Sequence, residues 1–285
     1  MLINLKQILQ IAEDKGNGIL MFNGTGFDSI QAIIHAAEEL KTPVIIAHAE
    51  VHNVYNDISL VGPAMLAVAK NANVPVCVHL DHGVTMEMID KAIAIGFTSI
   101  MFDGSSLPFE ENVRLTKIVV EKCHTKNISV EGEIGRLVTP EAGSSEKENK
   151  NLDPKDFYTR PEEAKKFVDA TGVDALAIAF GTSHGFYKSA PVLDFDVIRN
   201  VRKAVNIPLV MHGGSGVSDE GFINAVKAGI RKINCYSYMS KAGYDAAKKV
   251  IEEGNTCYLH DVEFAAYKEM KKYVRHAIET CWYLK

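Results

Sequence analysis

Eight short apolar runs, each followed by an amphipathic stretch, pass along this chain almost from end to end. The runs are Ile19–Phe22, Pro43–Ala47, Pro75–Leu80, Thr98–Phe102, Ser129–Ile134, Asp174–Ala179, Pro208–His212 and Arg231–Asn234. Between and after them, helix-like segments cover Ser29–Leu40, Leu60–Asn71, Thr85–Ile95, Glu110–Lys126, Pro161–Ala170, Phe195–Ala204, Asp219–Ala228 and Met239–Glu253. Runs that are both short and continuously apolar suit parallel strands buried on two faces. The punctuation agrees. Pro43, Pro75 and Pro208 open three runs, and Gly96, Gly172 and Gly229 close the helices before three others, as αβ connections require. Eight βα units in about 250 residues have the count and size of a (β/α)8 barrel. The chain therefore reads as α/β: a (β/α)8 (TIM) barrel, one domain over residues 1–285. Additional C-terminal helices are expected from Tyr258 onward, packed outside the barrel or against another subunit. An open doubly wound sheet is the alternative, disfavoured because no glycine-rich phosphate fingerprint follows the first run. One connection is abnormal: Gly135 to Arg160 is long, polar and charged, the composition of a lid or a solvated excursion.

Composition narrows the partners. Lys and Arg number 31 against 36 Asp and Glu, a net charge of −5, so no basic surplus points to nucleic acid. The five cysteines are odd in number, scattered, and never spaced as CxxC. A disulfide framework or structural zinc cluster is not expected, and a reducing, cytoplasmic setting is. The N-terminal residues do not read as a signal peptide. No run approaches the ~18 apolar residues of a membrane span.

The chemistry-bearing residues gather at the C-terminal ends of the predicted strands, where barrels build their sites. His79-Leu80-Asp81-His82-Gly83 follows the third strand, Thr182-Ser183-His184-Gly185 the sixth, and the seventh ends in His212-Gly213-Gly214-Ser215-Gly216. Thus His82, His184 and His212 fall at equivalent depth on one face, each followed by glycine. Three imidazoles with an open fourth position make a catalytic rather than structural zinc site. His79 is expected to support a ligand rather than be one, while His35, His124, His260 and His276 sit in helical segments as surface residues. Period-two alternation puts Glu131 and Glu133 on one strand face, where each is either an alternative metal ligand or half of an ion pair. Asp103, after the fourth strand, faces the same region. Gly213–Gly216 and Asn234-Cys235-Tyr236-Ser237 are placed to offer N–H groups and hydroxyls to an anion.

The motifs HLDHG, GFTSIMFDGSSLPFEEN, VEGEIG, YTRPEEAKKFV, TGVDALAIAFGTSHG and PLVMHGGSG, in this order, resemble those of the class II fructose-bisphosphate and tagatose-bisphosphate aldolases. The resemblance implies a metal-dependent aldolase of carbohydrate metabolism, such as glycolysis, that cleaves a ketose phosphate to dihydroxyacetone phosphate and an aldehyde. It implies that His82, His184 and His212 bind zinc, with Glu133 as an alternative metal position, and that Asp81 is the acid/base at the cleaved bond. It assigns Asn23, Gly185, Gly213, Ser215, Asn234 and Ser237 to substrate and phosphate binding. A monovalent cation nearby, a homodimer or homotetramer, and a second proton carrier at Glu141 belong to the same expectation.

There are departures. Val138-Thr139 stand where paired glycines are usual, Ala142 where an acid is usual, Ala49 where a serine is usual, and Ser237-Tyr238 where Thr-Asp or Thr-Glu is common. They surround the aldehyde half and the loop, leaving the particular substrate open, an unphosphorylated aldehyde end included. The competing readings are a metal-dependent sugar-phosphate isomerase or epimerase and a non-catalytic sugar-phosphate-binding relative.

Overall fold

The computed structural model describes residues 1–135, 157–187, 189–254 and 256–283. Its strands are β1 Ile19–Asn23, β2 Val44–Ala49, β3 Val76–Gly83, β4 Ser99–Phe102, β5 Ser129–Ile134, β6 Ala175–Ile178, β7 Leu209–Met211 and β8 Ile230–Cys235. They pair in parallel, each with the next, and β8 returns to β1 to close the barrel. The expected (β/α)8 architecture is the observed one, and the open sheet is excluded. The helices are α1 Leu5–Lys15, α2 Phe27–Leu40, α3 Ile58–Asn71, α4 Met86–Ile95, α5 Phe109–His124, α6 Pro161–Thr171, α7 Phe195–Ala204, α8 Asp219–Ala228, α9 Ser237–Glu253 and α10 Leu259–Tyr283. Among the described residues no helix is long and apolar enough to cross a membrane.

Every strand residue except Arg231 is buried, so the sheet is covered on both faces as the continuous apolar runs require. The two faces differ in chemistry. Val78, Leu80, Val130 and Gly132 meet the helical layer; a Cβ on Gly132 would run into Phe167 of α6. The alternate residues His79, Asp81, Glu131, Glu133, Lys232 and Asn234 fill the interior towards the C-terminal mouth. Register aligns them in layers: Ala49 lies opposite Asp81, and Met101 opposite Glu131.

The first helix was not anticipated from the sequence, and its local signals explain it. Asn4 and Gln7 form a reciprocal capping box, and Leu5, Ile8, Leu9 and Ala12 are buried on one face. Burial of the three larger side chains contributes roughly 1.5–3 kcal/mol each. Contacts with the N-terminal strand ends place α1 across the barrel floor. Ile3 N donates to Val76 O at 2.9 Å, Lys6 N to Ser129 Oγ at 3.1 Å, and Glu13 pairs with Arg202 and Arg231. With the floor closed, the opposite mouth is the accessible end.

At the other extreme of the chain, α10 packs against α9, α2 and β1, over the seam where β8 meets β1. The extra C-terminal helix thus lies outside the strands, on this chain's own barrel. The abnormal connection leaves at Gly135 and returns at Thr159, whose hydroxyl donates to Ile134 O and accepts from Ala179 N. Glu141, Val138, Thr139 and Ala142 lie outside the described residues.

Candidate active site

Three strand ends bring His82, His184 and His212 together. Their ring centroids are 5.0 Å apart for His82 and His184, 4.6 Å for His82 and His212, and 6.0 Å for His184 and His212. One nitrogen from each lies within 4.8 Å of the others. His82 Nε2 and His212 Nδ1 lie 3.0 Å apart, close to the roughly 3.3 Å separating two ligands at tetrahedral zinc–nitrogen distances. His82 reaches this place through an unusual backbone. Its φ is +43°, a left-handed conformation in a non-glycine residue, at the point where the β3–β4 register shifts between Leu80 and Gly83. Such a conformation costs about 1–3 kcal/mol and is characteristic of functional sites.

The far nitrogens of two of these rings are held by carboxylates. His82 Nδ1 is 2.7 Å from Asp103 Oδ2, and His212 Nε2 is 2.9 Å from Glu131 Oε1. This arrangement selects the tautomers and directs the other lone pairs at the common point. Burial pushes His184 well below the ordinary imidazole range, with His82 and His212 repelling its charged form, and burial likewise lowers His212. Neutral rings are the form that ligates metal.

Glu131 is ion-paired rather than free to coordinate. Lys232 Nζ lies 2.8 Å from its Oε2, both side chains fully buried. Burial alone would raise the Glu131 carboxyl; Lys232 and the His212 hydrogen bond reverse this and hold it at about 2. Glu133 behaves oppositely. Burial, reinforced by Asp103, raises its carboxyl well above the usual range. Among the described residues its Oε2 has no hydrogen-bond partner, and it sits 3.6 Å from His212 Nδ1 and 3.9 Å from His82 Nδ1. A buried, unpartnered carboxylate oxygen beside three converging imidazoles fits a divalent cation, and the nitrogen-rich donor set suits zinc. His82, Asp103 and Glu133 form a second, overlapping group of donors.

Asp81 projects beside this cluster between two amides. Asn23 Nδ2 donates to Oδ2 at 2.9 Å, and Asn234 Nδ2 donates to Oδ1 at 3.2 Å. Burial opposes its charge, but His82 and Lys232 prevail and hold the carboxyl well below its ordinary range. Asn23 and Asn234, expected to bind substrate, line the cleft while committing these N–H groups to Asp81.

The cleft itself, open at the mouth, is lined by Asn23, Asp81, His82, His184, Gly185, Gly213, Ser215, Asn234 and Ser237, together with Cys235 and Tyr236. Its far side is bounded by the loops after β6 and β7. Gly213 has φ +65°, and a Cβ there would collide with the Ser183 carbonyl. Tyr187 ties the loops after β6 and β7 together, its hydroxyl accepting from Ser183 N and donating to Gly213 O, each at 2.8 Å. Ser237 begins α9, whose N-terminus faces the cleft.

Lys232 was not singled out as a site residue from the sequence, and Cys235 and Tyr236 entered only as part of the anion-binding stretch 234–237. An inward-facing lysine in a barrel strand was the available signal. His79 lies beneath the site, with Nδ1 2.8 Å from Ser99 Oγ and Nε2 3.9 Å from Glu131, in line with a supporting place. His35, His124, His260 and His276 are exposed.

Fold and site together define a (β/α)8-barrel enzyme whose reacting groups gather at the C-terminal mouth. A family model described as fructose-bisphosphate aldolase class-II matches residues 3–283. The chain belongs to that family and is an aldolase, a carbon–carbon lyase. Among solved structures it is similar to the YdjI aldolase of Escherichia coli K12, with 36% identity, a TM-score of 0.87, and coverage of 99% of this chain and 97% of that one. A candidate fructose-1,6-bisphosphate aldolase from Coccidioides immitis shares 29% identity at a TM-score of 0.86, over 98% of this chain and 96% of that one. A fructose-bisphosphate aldolase from Campylobacter jejuni, at 23% identity and TM-score 0.77 over 98% and 95% of the two chains, shares the fold.

Proposed function

We propose that this aldolase is a zinc enzyme that reversibly cleaves a ketose phosphate to dihydroxyacetone phosphate and an aldehyde. The observation that carries the reading is the convergence of His82, His184 and His212 beside an ionised Asp81 gripped by two asparagines. His82, His184 and His212 would hold the ion, with Glu133 as an alternative position. When bound, it supplies Lewis-acid polarisation of the ketose carbonyl.

The chain's own residues account for the rest. In cleavage, the Asp81 carboxylate takes the proton of the hydroxyl on the departing carbon. That carbon becomes the aldehyde carbonyl as the carbon–carbon electron pair stays with the three-carbon fragment. Asn23 and Asn234 keep both carboxylate oxygens aimed, so little reorganisation is needed as charge moves. Gly185, Gly213, Ser215 and Ser237 hold the phosphate with backbone N–H groups, hydroxyls and the α9 N-terminus, and a monovalent cation near these loops belongs to the same reading. Family spacing makes Glu141 the group that returns a proton to the carbon flanking the ketone.

The aldehyde end is read as unphosphorylated. Ala49 is fully buried opposite Asp81, in the position where the family usually has serine. No Lys or Arg occurs among the described residues lining the cleft. The chain is further read as one domain acting in the cytoplasm as a homodimer or homotetramer. The family match disfavours the isomerase and epimerase alternatives. Incubating the protein with a panel of ketose 1-phosphates and ketose bisphosphates tests the reading. Release of dihydroxyacetone phosphate, faster from the monophosphates, is the expected result. A product with the carbon skeleton conserved would overturn it.

A further inference from the structure

Beneath the histidine cluster an ion pair spans the barrel interior from β8 to β5. Lys232 and Glu131 are both fully buried, and their side chains meet at 2.8 Å. Neither lines the cleft, so neither touches substrate in the mechanism above. The two oxygens of Glu131 have separate partners: Oε2 faces the Lys232 ammonium, and Oε1 accepts from His212 Nε2 at 2.9 Å. With its Nε2–H committed there, His212 presents the bare Nδ1 lone pair to the place shared with His82 Nε2, 3.0 Å away.

Packing alone does not call for this pair. A buried ion pair carries a desolvation cost that its attraction offsets only in part, and apolar residues of similar volume are often as stable or more so. What an apolar pair cannot supply is an acceptor for His212 Nε2. Nor would Glu131 serve alone, because a carboxylate in the barrel core needs a counter-charge. His79 does not provide it: its Nε2 is 3.9 Å away, and its Nδ1 is engaged with Ser99.

We infer that Lys232 and Glu131 are positioning residues for the metal centre, a relay in which Lys232 anchors the Glu131 carboxylate and Glu131 sets the tautomer and ring orientation of His212. The inference rests on the metal-site reading proposed above. Outer hydrogen-bond partners of ligating histidines are typically worth 10–100-fold in metal affinity.

The test compares wild type, Lys232→Met, and the double variant Glu131→Leu/Lys232→Met. Each is stripped of metal, titrated with Co2+ and followed by its visible absorption, and the thermal midpoint of each apo form is measured. Lys232→Met is expected to bind Co2+ roughly 10–100-fold more weakly than wild type. The double variant, free of any unpaired buried charge, should melt at or above the apo wild-type midpoint yet remain as weak towards Co2+. A role in stability only would restore both properties together, so wild-type affinity in the double variant overturns the inference. The double variant also keeps the test decisive if Lys232→Met fails to fold. Failure of wild type itself to take up Co2+ would instead remove the metal reading, and this inference with it.

Discussion

His82 and His212 face each other at the barrel mouth with Nε2 and Nδ1 3.0 Å apart, while Asp103 and Glu131 occupy the opposite nitrogen of each ring. Each histidine is thus oriented from behind and left with one lone pair towards a common point. That relationship makes the site's main claims testable one residue at a time.

Purified protein is expected to carry about one tightly held divalent ion per chain, and a chelator should abolish turnover until Zn2+ is restored. His184→Ala and His212→Ala should each lose the ion, by elemental analysis, while keeping the wild-type circular dichroism spectrum. Full turnover after exhaustive chelation would sink the reading.

Asp81 is held by Asn23 and Asn234 rather than by any helix terminus. Asp81→Ala should slow cleavage by roughly 10²–10⁴-fold, the usual range for a general acid or base. Its zinc content should stay at the wild-type level. Wild-type kcat in this variant would move the proton-transfer role elsewhere.

At the phosphate end, Gly213→Ala forces a side chain into a left-handed backbone position and against the Ser183 carbonyl. The expected outcome is a rise in KM of at least about tenfold, equivalent to about 1.4 kcal/mol of lost binding, with zinc content unchanged. An unaltered KM would mean that the phosphate does not lie on this loop.

Glu141→Ala should slow exchange of the proton on the carbon flanking the ketone of dihydroxyacetone phosphate while leaving the affinity for that ligand nearly unchanged. Exchange followed by NMR in deuterated water reads this directly, and wild-type exchange would assign the proton to another carrier.

Stability should fall on mild acidification because of His48, which lies in β2 away from the cleft lining. It is fully buried, and burial, with repulsion from His52, lowers its pKa from 6.5 to about 4. In this window the unfolded chain binds the proton and the folded chain does not. Stability is therefore lost as pH drops from 6.5 towards 4 and is independent of this group above that range. The full contribution is on the order of 3 kcal/mol. Chemical denaturation of the wild type and of His48→Leu across this range should show a shallower acid slope in the variant; parallel slopes would discard the assignment.

Much of this protein was legible in its sequence. Strand period, proline and glycine punctuation and the repeat of His-Gly pairs determine a barrel with Asp81, His82, His184 and His212 at one end, because in a parallel barrel position along a strand translates directly into depth. The floor helix escaped notice although Asn4 and Gln7 announce its start, since a single amphipathic helix before the first strand has no partner in the repeat. What only the tertiary structure decided is which buried group answers which. Period two put Glu131 and Glu133 on one face and left their fates equal. They diverge because Lys232, 101 residues further along the chain on β8, reaches Glu131 and not Glu133. The charge state and duty of a buried carboxylate depend on neighbours within a few ångströms, and barrel closure, not sequence distance, chooses those neighbours.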